Sequence, residues 1–533
     1  MPDERLPICS VGDVETGKMK SFCVADREIL IVNREDGYSA IAARCPHAGA
    51  PLENGVLRNN RIVCPWHNAC FHADSGDYLE PPAQDNLVKY SILIEDGTVY
   101  LEQPIPDKEA KVPDLSSPND EDKRVFVIVG GGGAGSAAAQ TLREVGYQGR
   151  IVMLTAESAL PYDRTKLSKA YLQSGEPSGY DLLRSLDFFG ANGIEVVLSA
   201  NVSRIDPESR QITYGEDKKI IYDAVLLATG GKPRVLDVEG ADLANVFTLR
   251  QPKDANSIIE AAKDAKKAVV VGSGFIGMEV AASLRQLGLE VTVVTPNKVP
   301  FESVLGEAVG SVFLKRHQSE GVQFKLEAKV TVIRGDRAVA SVELESGDRI
   351  PADIVVLGVG VKPATDFETG LSLNEDGSIS VDKYLRVASN IYAAGDIAEF
   401  PYFLTGEPVR IEHWRLALQQ GRKAAENMAG KRLPFESVPF FWTGQFDIKL
   451  RYIGHAEGWD DLVIQGSLEE ATFLAFYAKD NQVLAVSGIG KDQDIAAISE
   501  LMRLRKMPLM DAIKGVEVKS EVNYWEKQLA EAL

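Results

Sequence analysis

The chain has 533 residues, 45% of them hydrophobic and 25% charged, which is ordinary for a folded globular protein and long enough for about three or four domains. Its formal charge of -19, from 58 Lys and Arg against 77 Asp and Glu, disfavours nucleic acid and anionic membrane surfaces as partners on electrostatic grounds, so neither is expected. All five cysteines, Cys9, Cys23, Cys45, Cys64 and Cys70, fall near the front of the chain, so a redox dithiol is excluded from everything after residue 70. Such sparse thiols point to a reducing compartment. No stretch has the length and apolarity of a membrane span, and residues 1–20 look like neither a secretory signal nor a transit peptide. Cytosol is the expected location, with the mitochondrion open if a leader is missing.

Residues 1–103 alternate apolar and polar positions in short runs (REILIVN, GYSAIAA, NNRIVCP) separated by turn signals, the pattern of an all-β domain. Within it Cys45, His47, Cys64 and His67 read C-x-H, 16 intervening residues, then C-x-x-H. Each of two loops, CPHAGA and CPWHNA, thus delivers one thiolate and one imidazole. That is the requirement of a Rieske [2Fe-2S] centre, in which one iron takes two Cys and the other two His. Zinc sites usually keep the two Cys together and the two His together instead. In the respiratory form of this motif each loop adds a Cys and the two form a disulfide. Here Ala50 and Trp66 hold those places and Cys70 is displaced, so the resemblance is to disulfide-free Rieske ferredoxins. The expected potential lies towards the negative end of the range of about -150 to +300 mV.

Residues 104–123 are rich in Pro, Ser and charge, and read as a solvated linker that lets the first domain dock or swing. At residue 125 an apolar strand, VFVIV, runs into Gly130, Gly132 and Gly135 in a G-x-G-x-x-G turn that opens a helix. A second strand ends in Glu157. Glycines let a pyrophosphate approach the helix N-terminus and the acid takes ribose hydroxyls, so this is a dinucleotide site. Gly272, Gly274 and Gly277 repeat the arrangement in AVVVGSGFIGME. Two such units imply two dinucleotides, with NAD(P)H and FAD the natural pair. Asp396, after the strand of NIYAAGD, suits the ribityl hydroxyls that only FAD has. LLATGGKPR and ADIVVLGVGVKP, the latter with Gly360, close the two halves. The expected layout is an FAD domain (124–250 and 373–433) interrupted by an NAD(P)H domain (251–372), followed by an α+β domain (434–533).

On these residues the chain resembles Rieske-containing apoptosis-inducing-factor-like proteins and, from residue 124 onward, the ferredoxin reductases of ring-hydroxylating dioxygenases. The most specific segment is LPYDRTKLSKAYL, with Thr165 where that family usually has Pro. The resemblance implies that Arg164 contacts FAD, that Lys169 lies near the flavin N5 and that Glu279 pairs with Lys169, the last two being the catalytic candidates. It also implies FAD contacts for Val202, Thr229 and Arg234, a helix start beneath the pyrimidine ring at Glu412, His413 and Trp414, and an aromatic, Trp442, closing over the flavin. His455 is read as a structural or surface histidine. Thr295 stands where NAD-preferring relatives carry Glu, yet no Arg pair awaits a 2'-phosphate and Lys298 is alone nearby, so NADH is favoured.

The expected activity passes hydride from NAD(P)H to FAD, then single electrons through the Rieske centre to an acceptor that the sequence does not name. An oxygenase would need a mononuclear iron site, and with six His in all no 2-His-1-carboxylate set is visible. The alternative is a redox-sensing signalling protein with slow turnover. Docking of the Rieske domain on its own flavin domain, or on that of a second copy in a homodimer, remains open at this level.

Overall fold

Short strands with buried alternate positions build the first body. In this computed structural model, which describes residues 5–102, 105–177, 179–515 and 524–532, strand Arg27–Arg34 buries five successive side chains between Lys18–Val24 and Gly37–Ala42. A separate antiparallel sheet of Val56–Arg58, Arg61–Val63, Cys70–His72 and Tyr78–Glu80 holds the second Cys-His loop between its middle strands. Continuous apolar runs, buried on both faces, give the parallel sheets that follow. The first orders Ile194–Val197, Arg150–Leu154, Val125–Val129, Ala224–Leu227 and Ile391–Ala393 in parallel, with Arg386–Ala388 antiparallel at its edge. The second has five parallel strands centred on Lys267–Val271. Because Ile391–Ala393 returns to the first sheet, the second is an insertion. Gly231–Pro233 and Val361–Pro363, where the chain leaves and re-enters, pair antiparallel.

Helix Gly133–Glu144 crosses helix Trp414–Met428 so closely that a Cβ on Gly421 would sit 2.0 Å from the Ala134 carbonyl oxygen. That crossing brings both helix N-termini to one cavity. A five-stranded antiparallel sheet, Phe440–Gln445 to Asp461–Ser467, with helix Asp492–Arg503 forms the last body.

The Rieske body rests against the other bodies of the same chain. Arg415, 1% exposed, donates from Nε to the Pro81 carbonyl (2.9 Å) and from Nη2 to the Asn68 carbonyl (2.9 Å) and Glu80 Oε2 (2.8 Å). Gln419 adds 2.6 Å to the same Glu80 oxygen, and Arg61 donates to both Glu80 and Glu500. Apolar burial accompanies this network, with Val56, Val63 and Cys70 in one cluster with Phe440, Ile453 and Ile498. The linker is exposed, as its composition requires, but it is not a free tether. Ala110–Lys111 pairs with Asn86–Leu87, and the Ser116 and Asn119 N-H groups donate to the Arg143 (3.0 Å) and Gln148 (2.9 Å) carbonyls of the flavin-type domain.

Candidate redox site

Two loops of matching geometry meet at the seam. In each, the Cys N-H donates to the carbonyl five residues on (Cys45 to Ala50, 2.9 Å; Cys64 to Ala69, 2.8 Å), and the N-H four residues on returns to the Cys carbonyl (Gly49, 2.8 Å; Asn68, 3.2 Å). Each sulfur also receives two backbone N-H groups of its own loop, from His47 and Ala48 on Cys45 and from Trp66 and His67 on Cys64. The Cys64 thiol is lowered first by its bond from Cys45 and, against burial, by those N-H groups. The two thiols touch each other, and His47 Nδ1 lies 3.1 Å from His67 Nδ1. Burial, then the nearby His47, depresses His67 to about 2, so its imidazole stays neutral and keeps one ring nitrogen unprotonated for a metal. Sulfurs thus pair with sulfur and imidazoles with imidazole. Among the described residues no three His, Cys, Asp or Glu converge on one ion position. Two pairs, each for its own iron, fit a [2Fe-2S] centre and do not fit a single tetrahedral zinc. Every cysteine is a free thiol, and Cys70 is buried beside Arg61 Nη2 at 3.0 Å.

A cavity of about 1120 Å³ opens between the two nucleotide-type domains and the last sheet. Of the sequence candidates, Gly130, Gly132, Glu157, Arg164, Lys169, Val202, Thr229, Gly274, Glu279, Gly360, Asp396, Glu412, His413, Trp414 and Trp442 line it. Gly135, Gly272, Gly277 and Arg234 do not. A Cβ on Gly135 would fall 1.9 Å from the Gly130 carbonyl and one on Gly277 2.4 Å from that of Gly272, so these glycines let helix approach strand. Gly272 has φ +105 and faces the Gly358 carbonyl. Arg234 instead ties the crossing strands, Nε to the Val361 carbonyl at 3.0 Å. The cavity fits FAD chemically: a Cβ on Gly132 would meet open space, and Thr229 Oγ1 is buried there without a partner among the described residues. Gly130, at φ +121 with a Cβ position 2.1 Å from the Ala228 carbonyl, tolerates no side chain. Gly130→Ala is expected to cost about 1–3 kcal/mol of the FAD-binding conformation, a loss of roughly 5- to 150-fold in affinity, read as flavin per protein after gel filtration.

Lys169 sits on the π-turn Leu167–Tyr171, a rare geometry that recurs at functional sites. Its Nζ donates to Glu279 Oε2 at 2.8 Å, and the Ser168 hydroxyl donates to the same oxygen. Thr443 Oγ1 donates to Glu279 Oε1 at 2.7 Å. The Glu279 side chain is 6% exposed and that of Lys169 22%, an ion pair at a cavity wall. Ser168 and Thr443 were not among the sequence candidates. Ser168 stands within the KLSKAYL signature, while Thr443 follows Trp442 on a strand, where alternation sends neighbours to opposite faces.

Other acids are also engaged. Glu157 accepts from Arg164 Nη2 (2.7 Å) and the Tyr162 hydroxyl (2.7 Å), and Asp396 accepts from Arg250 at 2.8 Å, a cavity arginine that no motif indicated. His413 caps helix Trp414–Met428 at the cavity; burial, then His455, lowers it to about 4, so it is neutral at pH 7. His455 itself lines the cavity and bonds Glu457 at 3.2 Å. Thr295 is turned inward, 1% exposed, with Oγ1 2.8 Å from Ser273 Oγ.

A family model described as pyridine nucleotide-disulphide oxidoreductase matches residues 124–421, more than half of the chain. The chain belongs to that family. A Rieske [2Fe-2S] domain matches residues 4–91 and a reductase C-terminal domain residues 440–518. Apoptosis-inducing factor 3 of Homo sapiens is 38% identical over 508 residues, covering 93% of this chain and 83% of that protein. Rhodocoxin reductase of Rhodococcus erythropolis is 36% identical over 386 residues, covering 72% of this chain and 90% of its own. The structure of a covalent putidaredoxin reductase-putidaredoxin complex superimposes with a TM-score of 0.72 at 30% identity, over 77% of this chain and 99% of that one. This member of the pyridine nucleotide-disulphide oxidoreductase family is therefore an FAD-dependent NAD(P)H oxidoreductase of the ferredoxin-reductase type, carrying a Rieske domain. Its family name includes disulfide chemistry, but no cysteine accompanies its flavin site. Among the described residues no helix is long and apolar enough to cross a membrane.

Proposed function

We propose that this oxidoreductase passes electrons from NAD(P)H, through FAD, to its own Rieske centre and on to an external acceptor. The observation that carries the reading is Trp442. Its ring lines the flavin cavity and lies 4.4 Å, centroid to centroid, from His67, with His47 at 6.1 Å. When bound, FAD takes two electrons as hydride and can release them singly, and a [2Fe-2S] centre takes one at a time.

The residues of this chain supply the rest. Lys169 presents a cation to the cavity, and Glu279 holds that cation against its desolvation cost. The N-terminus of helix Trp414–Met428 adds a positive dipole end that favours anionic charge there. Neutral His413 and the stacked rings of Phe441 and Tyr452, 4.9 Å apart, line the cavity on the side of the last sheet. Arg451 donates to the Trp66 carbonyl (3.2 Å) and pairs with Asp492 (2.9 Å), fixing the second cluster loop against that sheet. For the nicotinamide nucleotide the reading favours NADH, since residues 295–298, TPNK, offer no arginine pair to a 2'-phosphate.

Anaerobic stopped-flow mixing with NADH and, separately, NADPH tests the path, following flavin absorbance together with the Rieske EPR signal. Flavin bleaching followed by growth of the cluster signal supports it; a bleached flavin beside a cluster that stays oxidised overturns it. Trp442→Ala is expected to slow cluster reduction by on the order of tenfold, equivalent to about 1.4 kcal/mol of barrier, with flavin reduction little changed.

A further inference from the structure

Helix Tyr524–Glu531 lies past residue 518, where the matched reductase domain stops, and it touches two bodies at once. Trp525 and Leu529, each 1% exposed, enter the cluster that joins Val56 and Val63 of the Rieske domain to Phe476 and Ile498 of the last domain. The Trp525 ring lies 5.2 Å from that of Phe476. Polar pins run to the Rieske side. Lys18 Nζ meets Glu526 Oε1 at 2.5 Å, and Arg58 Nη2 donates to the Ala532 carbonyl at 2.6 Å, where a cation also suits the negative end of the helix dipole. On the far side of the Rieske domain Tyr78 donates to Glu144 Oε1 at 2.7 Å and Arg184 pairs with Asp85 at 2.6 Å. The domain is thus gripped on both flanks, while the face bearing His47 and His67 lies against Trp442.

We infer that helix Tyr524–Glu531 is a strap that keeps the Rieske domain docked on the reductase throughout turnover, which makes the centre a fixed relay. The histidine face is then closed to a free ferredoxin-type carrier, and the acceptor must take electrons from another side of the domain. The kinetic half of this inference rests on the electron path proposed above; the structural half does not.

Two measurements on the full-length holoprotein test it. Trypsin cleavage after Arg61, whose side chain is 16% exposed at the seam beside Glu500, reports the population of the undocked state when reclosing is fast, and viscosity dependence of NADH-driven cluster reduction reports domain motion. The intact protein should resist cleavage and reduce its cluster at a rate independent of glycerol. A variant lacking residues 524–533 should be cut at least about tenfold faster and become viscosity-dependent. A Lys18→Ala, Arg58→Ala double variant, which leaves every buried residue in place, should shift the same way by a smaller factor and decides the matter if the truncated chain does not fold. Unchanged cleavage in the variants, or viscosity dependence already in the intact protein, overturns the strap. If the cluster is never reduced, the electron path fails while the cleavage result still judges the strap.

Discussion

Glu279→Ala is expected to slow reduction of the bound flavin by NADH by about 10²–10³-fold while the FAD content stays the same. The carboxylate holds Lys169, Ser168 and Thr443 together from one buried position, so its removal leaves a cation and two hydroxyls at the cavity wall without their acceptor. Lys169 then relaxes towards solvent and its charge is no longer held at the cavity wall. Glu279→Gln, which keeps an acceptor oxygen for the hydroxyls but not the charge, should fall between. Anaerobic single-turnover absorbance measures both variants. A loss of less than about threefold would reduce Glu279 to a packing residue.

Glu80→Ala should weaken docking of the Rieske domain by about 3–5 kcal/mol, because removing one partner of a buried ion network leaves the other uncompensated. Two guanidiniums, Arg61 and Arg415, converge on that carboxylate together with Gln419, and its side chain is 22% exposed. The expected result is rapid flavin reduction with cluster reduction slowed by roughly 10²-fold or more, seen as separation of the absorbance and EPR time courses. The same network fixes the pH response. Burial would raise the Glu80 carboxyl, but Arg61 and Arg415 override it and hold it at about 2. A folded value below the unfolded one gives stability that is complete above the unfolded carboxylate range and lost only as pH falls towards 2. Cluster reduction should therefore show no loss of docking between about pH 8 and about pH 5. A sigmoidal loss in that window would exclude Glu80 as the clamp.

The two paired Cys-His loops of the Rieske domain were legible because their geometry is local: each loop of six residues closes on itself through two backbone hydrogen bonds, so spacing alone carries it. The strand-turn-helix units were legible for the same reason. A glycine whose Cβ would fall within about 2 Å of a carbonyl oxygen leaves a fixed signature, as Gly130 and Gly135 do. Arg250, Ser168 and Thr443 escaped notice because each reaches the site from an element whose neighbour is set only when two domains meet, and for the same reason His455, which lines the cavity, was not placed there. Arg234 shows the converse. Its turn was read as part of the flavin site, yet its side chain spends its hydrogen bond on the strand that returns from the inserted domain. Composition also marked residues 104–123 as a tether without indicating that a short strand pairing and several backbone hydrogen bonds would tie them down.

By itself the sequence determined the kinds of group present: a two-plus-two set of thiols and imidazoles, two dinucleotide turns, no dithiol beyond residue 70 and an acidic surface. These follow from residue identity and from spacings of a few residues, over which the backbone has little freedom. Only the tertiary structure decided that the histidine pair faces Trp442 of the same chain, and that Arg415, Glu80 and the helix Tyr524–Glu531 hold it there. The contacts responsible join residues more than 300 positions apart, such as Glu80 with Arg415 at 335 and Asn68 with Ser499 at 431. No periodicity reaches that far, because complementary surfaces of separately folded domains, not local propensity, choose such partners.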